Sequence, residues 1–359
     1  IGVEATRRIR ICHVCARVEN RRGDQGVGWG AVTLSDLWAW HGSGLDASDR
    51  LGAMADMVEA WGRRLCQEKG YGHPVDLFWE ARGELGSVAR DVVGRCGLEG
   101  TMPALAGLLC ASPVDAALHD AFGVVNGIDV YAGYGREFMG SDLSRYLGPK
   151  LKGKYPGDYV TALSPWVGVA HRVGCDEPLT EGQAKGSARQ RLPMQLAGWI
   201  GSDRVRLVKV QIGGSDAGAD ARRLLEVARV AREALGARGT VEMGLAVECD
   251  GRCAGPGHVV EVLKRFGEED SDGYHSLLYV EQPARAALGV DRHDVRELAA
   301  IAPVILDESL VDLDVMDQAV SYGYSGVSLK TAGCQSLQLL LAARATREKM
   351  LYKIGRAHV

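Results

Sequence analysis

Leu245-Ala-Val-Glu248 is the first of four short segments that run apolar and then stop on a charged residue. The other three are Leu277-Leu-Tyr-Val-Glu281, Val304-Ile-Leu-Asp307 and Val327-Ser-Leu-Lys330. Apolar runs of this length are typical of strands buried in a parallel sheet. Because parallel strands of a barrel end at the same rim, the three acids and the lysine are predicted to converge there.

Helical periodicity separates these segments, which indicates βαβ units. Helices are predicted near 257–267, 291–301, 312–322 and 334–350, and upstream lie two further strands, 159–169 and 205–212, and a helix over 218–235. Six strands fall short of a closed (β/α)8 barrel. The sequence therefore predicts an α/β protein with an incomplete barrel, whose exposed edge strands make the chain marginally stable.

The first part of the chain follows a different pattern. Residues 9–34 alternate as a hairpin around Arg21-Arg-Gly-Asp24, and Gly26-Val-Gly-Trp-Gly30 is predicted to supply turn geometry and a close backbone approach. Helical spacing covers 49–70, 86–97 and 101–126. We predict an α+β domain over 1–157 and a barrel domain over 158–352. The last seven residues, 353–359, look like a translated sequencing-adapter read and are predicted to be a non-native tail.

Composition narrows the class of partner to small molecules. A net charge of −4 and a pI near 6.2 give no basic footprint for a nucleic acid. No uninterrupted run of about 20 apolar residues predicts a membrane span. Nine cysteines without the paired spacing of a zinc ribbon indicate a reduced, cytoplasmic compartment.

The strand-end acids are candidate metal ligands. Neighbouring strands lie about 4.8 Å apart, so Glu248, Glu281 and Asp307 can reach one hard cation, and Mg²⁺ fits best because it exchanges waters for substrate oxygens. The alternative is that these acids cap the following helices. Asp250 shares a strand face with Glu248; we prefer Glu248 as the ligand and give Asp250 an outer or alternative position.

Two lysines and a glutamine complete the predicted rim. Lys209 and Gln211 share a face of one strand, and a lysine in an apolar strand needs an anionic partner such as a substrate carboxylate. The alternative is that Lys209 extends to the rim for solubility. Lys330, if buried beside a divalent cation, would have its pKa lowered, which suits a general base.

Six motifs, taken in order and spacing, carry a family resemblance. They are Gly26-Val-Gly-Trp-Gly30, Pro113-Val-Asp-Ala-Ala-Leu-His-Asp-Ala-Phe-Gly123, Val208-Lys-Val-Gln211, Val247-Glu-Cys-Asp250, Val280-Glu-Gln-Pro283 and Leu306-Asp-Glu-Ser309. Together they resemble the enolase superfamily, in its mandelate racemase/muconate lactonizing enzyme-like branch. The resemblance implies a capping domain, an enolase-type (β/α) barrel and a homo-oligomer.

The same resemblance implies a chemistry. Glu248, Glu281 and Asp307 would bind Mg²⁺, Lys330 would remove the proton α to a substrate carboxylate, and Lys209 would stabilise the resulting enolate. Departures from the family pattern are Ala31 in place of an acid, Gln211 in place of a second lysine, and Glu248 in place of an aspartate.

Glutamine cannot act as a proton-transfer base, so Gln211 favours a one-base reaction. We expect a sugar-acid or hydroxy-acid dehydratase. A racemase, epimerase or cycloisomerase, or a degenerate ligand-binding barrel, remain alternatives on the same scaffold.

Specificity in this family is set largely by the capping domain. The segment 28–45 offers Trp29 and His41 as substrate-binding candidates, together with Gln211 from the barrel. At least two of the segment's aromatic residues, which include Trp38 and Trp40, are expected to serve packing instead. Further candidates after the first barrel strand are His171 and Asp176.

Overall fold

A computed structural model describes residues 9–68, 70–159, 167–183, 195–203, 205–237, 239, 242–284 and 294–355. The chain divides into two compact units, residues 1–162 with 328–359, and residues 163–327. The boundaries predicted for the domains, at 157/158 and 352/353, stay predictions.

The described helices and strands alternate through most of the chain. The strands are β1 (Ile11–Glu19), β2 (Gln25–Thr33), β3 (Ala170–Val173), β4 (Leu207–Gln211), β5 (Gly244–Glu248), β6 (Leu277–Glu281), β7 (Val304–Leu306), β8 (Gly326–Leu329) and β9 (Leu351–Ile354). The helices are α1 (Asp36–Ala39), α2 (Ala47–Leu65), α3 (Pro74–Ala81), α4 (Leu85–Arg95), α5 (Ala104–Asn126), α6 (Ser144–Leu147), α7 (Leu196–Asp203), α8 (Ala217–Gly236), α9 (Pro256–Glu269), α10 (Ser271–His275), α11 (Arg296–Ala299), α12 (Leu313–Ser321) and α13 (Gln335–Arg347).

In the first unit, β1 and β2 form the predicted antiparallel hairpin. The glycines of β2 lie within the strand, so the prediction that they form a turn is wrong. The predicted close approach is confirmed: a Cβ at Gly28 would lie 2.0 Å from the amide nitrogen of Ala121, and one at Gly30 would lie 2.0 Å from the carbonyl oxygen of Pro113. Only glycine lets β2 lie directly on α5.

Helix α5 is the core helix of this unit. By length and composition it could cross a membrane, but 72% of its most apolar window is buried within the described structure. Burial in the core therefore accounts for its apolar character.

The second unit holds the predicted parallel sheet. Strands β3 to β8 pair in parallel and in chain order. The prediction of six strands is wrong by one: the sheet has seven strands in the described residues, and the seventh, β9, consists of residues of the first unit. Lys353 and Ile354, which the sequence assigns to the tail, belong to β9. Most of the strand predicted over 159–169 lies outside the described residues, and β3 begins at Ala170.

Helix caps in this unit come from residues other than the strand-end acids. Asp216 accepts a hydrogen bond from the amide of Ala219 at the start of α8, and Asp312 accepts one from Val315 at the start of α12. The cap of α9 is Gly255. The alternative that Glu248 and Asp307 cap the helices after their strands is therefore wrong.

Candidate active site

Strand register places a row of polar side chains on one face of the parallel sheet. Lys209 pairs with Ala246, Gln211 with Glu248, and Glu248 with Glu281. Alternate residues of a strand share a face, so these side chains point to the same side. Ala246, Tyr279 and Ile305 form an apolar cluster on the same face, and each comes two residues before the acid of its own strand.

The three strand-end acids are all buried. Glu248 is 6% exposed, Glu281 1% and Asp307 7%. Asp307 follows Ile305, the register partner of Glu281, by two residues, so it continues that face beyond β7. Buried carboxylates need cations or hydrogen-bond donors, so the face is chemically specialised.

Lys209 supplies one of these cations. Its ammonium lies 2.5 Å from Oε1 of Glu248 and 3.1 Å from Oε2 of Glu281. Burial lowers the pKa of Lys209, but the charges of Glu281 and Glu248 outweigh that effect and raise the pKa above its ordinary value. Lys209 is therefore a fixed positive charge and cannot serve as a proton-accepting base in this arrangement.

Arg172 supplies the second cation, which was not predicted from the sequence. It pairs with Lys209 in register, donates from Nε to Glu248, and places Nη2 2.9 Å from Oδ2 of Asp250. Burial lowers the pKa of Arg172, but the charges of Glu248 and Asp250 outweigh this effect, so the pKa lies above its ordinary value. The available signal was an arginine inside a short β-like segment, His171-Arg172-Val173, but the predicted strand stopped at 169.

Asp250 is held by Arg172 and Gln211. Its backbone has a φ of 47°, a left-handed conformation that turns the chain directly after β5. Its Oδ2 accepts hydrogen bonds from Arg172 and from Nε2 of Gln211. Gln211, predicted to bind substrate, is thus engaged with Asp250, and its Oε1 also accepts from the amide of Cys175.

Gln282 fixes the position of Asp307, a role that was not predicted from the sequence. Its Oε1 lies 3.0 Å from the amide nitrogen of Asp307 and 3.4 Å from that of Ser309, and its Nε2 donates to the Ser309 hydroxyl at 2.8 Å. The backbone of Gln282 is also left-handed, with a φ of 45°. The Glu-Gln-Pro motif, in which a buried glutamine follows a strand end, was the available signal.

The donor set suits a hard divalent cation. Three carboxylates, those of Glu248, Asp250 and Glu281, contact the cations of Lys209 and Arg172, and the buried carboxylate of Asp307 follows the next strand. Oxygen ligands at the ends of successive strands are those that Mg²⁺ prefers. The residues therefore fit the ion in the kind of ligand atom that they offer.

Lys209 competes for the same oxygens. Within the described residues, no group of three His, Cys, Asp or Glu side chains stands close enough together to hold a metal ion. A cation at Glu248 and Glu281 therefore requires the ammonium of Lys209 to withdraw. The assignment of Glu248, Glu281 and Asp307 as ligands stays a prediction.

Lys330 comes directly after β8 and belongs to the first unit. Its amide nitrogen donates to Oε1 of Gln338 at 2.8 Å. Its ammonium lies 4.7 Å from the ring centroid of Trp38, within cation–π range. Its role as a base stays a prediction.

The aromatic candidates of the first unit divide by burial. Trp38 and Trp40 are buried, which confirms the packing role expected for two of them. Trp29 is 62% exposed, and its backbone amide donates to Asp120 at 2.8 Å. His41 is exposed, with Nδ1 3.3 Å from the carbonyl oxygen of Trp38. Substrate binding by Trp29 and His41 stays a prediction.

The two candidates after the first barrel strand do not join the row of acids. His171 is adjacent to Arg172 on β3 and so faces the opposite side, where its Nε2 lies 3.1 Å from Glu177. Its ring stacks at a tilt 5.4 Å from Trp199, and Asp176 is exposed.

Comparison with known proteins gives the fold. No family model and no curated protein matches the sequence. Among solved structures, an enolase from Bradyrhizobium complexed with magnesium and mandelic acid matches with a TM-score of 0.55 at 15% identity, over 97% of this chain and 80% of that one. A racemase from Streptomyces coelicolor A3(2) with bound magnesium matches at 0.53 and 17%, over 98% and 85%. The 2-chloromuconate cycloisomerase from Rhodococcus opacus 1CP matches at 0.51 and 14%, over 96% and 78%.

The fold class is therefore α/β, with an antiparallel hairpin near the N-terminus and a parallel sheet of barrel type. More particularly, the fold is similar to that of solved enolase superfamily structures, one of them named mandelate racemase/muconate lactonizing enzyme, which agrees at the level of the fold with the resemblance seen in the motifs.

Proposed function

We propose that this protein is an enzyme that removes the proton α to the carboxylate of a small acid, with Mg²⁺ as cofactor. The observation that carries the proposal is the row of buried carboxylates at the ends of β5, β6 and β7, two of which, Glu248 and Glu281, pair with Lys209 and Arg172 on β4 and β3. Structural neighbours with bound magnesium, one of them with mandelic acid, support the same chemistry.

Bound Mg²⁺ would neutralise negative charge that grows on the substrate carboxylate as the proton leaves. Lys209 would add a second positive charge, because a lysine ammonium is protonated at neutral pH. Since both charges act more strongly on the enolate than on the starting acid, they lower the barrier for proton removal.

Lys330 would accept the proton at Nζ. Its backbone amide is fixed by Gln338, which holds the start of the side chain in place. An amine accepts a proton only in its neutral form.

The outcome after proton removal is proposed to be dehydration of a sugar acid or hydroxy acid. Gln211 is tied to Asp250 and carries no basic group, and Lys209 is protonated, so neither supplies a second base. A one-base site delivers and removes protons on a single face, which suits elimination of water better than inversion.

A racemase or cycloisomerase is the second candidate, because structural neighbours carry those names. A barrel that binds an acid without catalysis is the third, and the contacts of Lys209 with Glu248 and Glu281 favour it. Gln211 and Glu248, as departures from the family pattern, point the same way.

Solvent exchange separates these outcomes. The full chain is incubated in D₂O with Mg²⁺ and a panel of hydroxy and sugar acids, and deuterium at the α carbon is followed by NMR while products are weighed by mass spectrometry. We expect Mg²⁺-dependent exchange, loss of water from one substrate, and no turnover by Lys330→Ala. Lys264→Ala, at an exposed lysine paired with Glu297, is the matched control and should react as wild type.

Two results would count against dehydration. Exchange with every substrate atom retained would favour the racemase or cycloisomerase. Tight acid binding in calorimetry without any exchange would favour the non-catalytic barrel, and a chain that neither bound Mg²⁺ nor exchanged a proton would refute the proposal.

The cellular location and the oligomeric state are also proposed. A cytoplasmic location is supported by the nine cysteines, all within the described residues and all free thiols. A homo-oligomer is implied only by the family resemblance, and the proposed partner is a small carboxylate.

A further inference from the structure

Helix α13 begins against helix α5, and a buried carboxylate makes the contact. Asp115 of α5 is 2% exposed. Its Oδ2 accepts from the backbone amide of Ser336 at 2.8 Å, and its Oδ1 accepts from the Ser336 hydroxyl at 2.7 Å. Asp115 and Ser336 are 221 positions apart, so this bond depends on the tertiary fold.

Asp115 supplies the side-chain hydrogen-bond acceptor that the N-cap residue of α13 does not provide. The residue before the helix, Cys334, makes no capping hydrogen bond with its side chain. The first amides of a helix have no partner inside it, and the positive end of the helix dipole favours an anion. A carboxylate from another helix therefore fixes where α13 starts.

The first turns of α13 in turn hold Lys330. Oε1 of Gln338 accepts from the Lys330 amide at 2.8 Å, and Nε2 of Gln338 donates to the carbonyl oxygen of Gly333 at 3.4 Å. The Lys330 carbonyl accepts from the Gly333 amide at 2.8 Å. Both backbone polar groups of Lys330 are thus tied to the turn that leads into α13.

A chain of hydrogen bonds ends on the same carboxylate. Nε2 of Gln335 donates to the Tyr134 hydroxyl at 2.6 Å, and that hydroxyl lies 3.0 Å from Nδ1 of His119. Nε2 of His119 lies 2.9 Å from the Ser336 hydroxyl. With the proton of neutral His119 on Nε2, every donor in the chain has one acceptor, and the chain terminates at Asp115.

We propose that Asp115 is a positioning residue for Lys330, acting through the start of α13. This inference rests on the proposed function of Lys330 as the base. Misplacement of a base by a fraction of an ångström slows proton transfer without preventing substrate binding. Asp115 itself does not touch the substrate.

Two variants weaken the contact between Asp115 and Ser336 to different degrees. Asp115→Asn keeps the shape but replaces one acceptor with a donor that faces donors of Ser336. Ser336→Ala removes only the hydroxyl bond and keeps the bond from the backbone amide. Ser112→Ala is the matched control, because Ser112 is buried one turn earlier on α5 and its hydroxyl donates to the carbonyl oxygen of Leu109.

Two readouts are taken on the full chain. Amide hydrogen exchange, followed by mass spectrometry, should accelerate in peptides covering 328–340 on the order of 10-fold in Asp115→Asn, less in Ser336→Ala, and not in the control. Peptides of α2 should exchange as in wild type. With the acid that shows α-proton exchange, kcat should fall on the order of 10- to 100-fold while KM changes by less than about 2-fold.

The results of these two measurements either support or overturn the positioning role of Asp115. Unchanged exchange over 328–340, or equal acceleration in α2, would overturn it, as would an unchanged kcat in a variant whose 328–340 segment had loosened. If wild type exchanges no α-proton while Asp115→Asn still loosens 328–340 selectively, the proposed function fails and the positioning contact stands. If Asp115→Asn does not fold, Ser336→Ala carries the same test.

Discussion

The ammonium of Lys209 lies 2.5 Å from Oε1 of Glu248 on the neighbouring strand. The same ammonium reaches Glu281, so one lysine bridges two buried carboxylates that are register partners. An ion held by these carboxylates must compete with the lysine. The free energy of the site therefore depends on whether a protein cation or a metal ion neutralises the acids.

Replacing Lys209 with methionine should expose this competition. Glu248 and Glu281 would then lie buried without their shared cation, and the free energy of unfolding should fall by about 3–5 kcal/mol without Mg²⁺. Mg²⁺ should restore more stability to the variant than it adds to wild type. Urea unfolding with and without Mg²⁺ measures both effects.

The matched control for that experiment is Lys264→Met, which removes an exposed ion pair with Glu297 and should cost no more than about 1 kcal/mol. Equal losses in the two variants, or no rescue by Mg²⁺, would contradict the competition.

The choice between Glu248 and Asp250 as a metal ligand can be tested by paired amide variants. Asp250 is held by Arg172 and Gln211, so Asp250→Asn should disturb the site from outside and lower Mg²⁺ affinity about 10- to 100-fold. Glu248→Gln should lower it further, because it removes a ligand. Calorimetric Mg²⁺ titration gives the order, and the reverse order would assign the ligand to Asp250.

Stability in acid should depend on His119. Burial lowers the pKa of His119 to about 3, whereas an unfolded histidine titrates near 6.5. Its contribution is full above pH 6.5 and is lost as pH falls toward 3, by about 2 kcal/mol between pH 7 and pH 5. His119→Gln keeps a donor and an acceptor but cannot titrate, so its unfolding free energy should vary less over this window.

The contribution of Asp115 to stability changes with pH in the opposite direction to that of His119 over part of the same pH range. Burial raises its pKa to about 6, so its contribution is full below about pH 4 and is lost as pH rises through 6. Wild type and His119→Gln both contain Asp115. Subtracting one free energy of unfolding from the other therefore removes the Asp115 contribution, as long as the surroundings of Asp115 are unchanged. The exposed His275→Gln is the control, and an identical pH dependence in wild type and His119→Gln would refute the prediction.

The contact of β2 with α5 should tolerate no side chain at Gly28. A Cβ there would lie 2.0 Å from the amide nitrogen of Ala121, so Gly28→Ala should lower the free energy of unfolding by about 3 kcal/mol or more. Gly94→Ala, in α4 with nothing within 4 Å of the new Cβ, should raise it by about 0.5–1 kcal/mol. Denaturant unfolding of both variants compares them, and a neutral Gly28→Ala would contradict the packing.

Local sequence patterns predicted the strands that carry the acids, with small errors in the strand boundaries. The segment Leu277–Glu281 was predicted with the bounds of β6, because an apolar run between turns has few other solutions. Strand β9 was missed because Leu351–Ile354 has neither a long apolar run nor a clear alternation. Its place beside β8 depends on residues distant in sequence, such as Leu329, whose carbonyl accepts from the Gly355 amide at 2.7 Å.

The sequence alone determined which residues end the strands and which face they share, because burial and the two-residue period of a strand are local properties. It therefore predicted that Glu248, Glu281 and Asp307 lie on one rim. Only the tertiary structure decided which cation meets which acid. Arg172 reaches Glu248 and Asp250, and Asp115 reaches Ser336, through strand register and helix packing between segments far apart in the chain. Such contacts leave no local pattern.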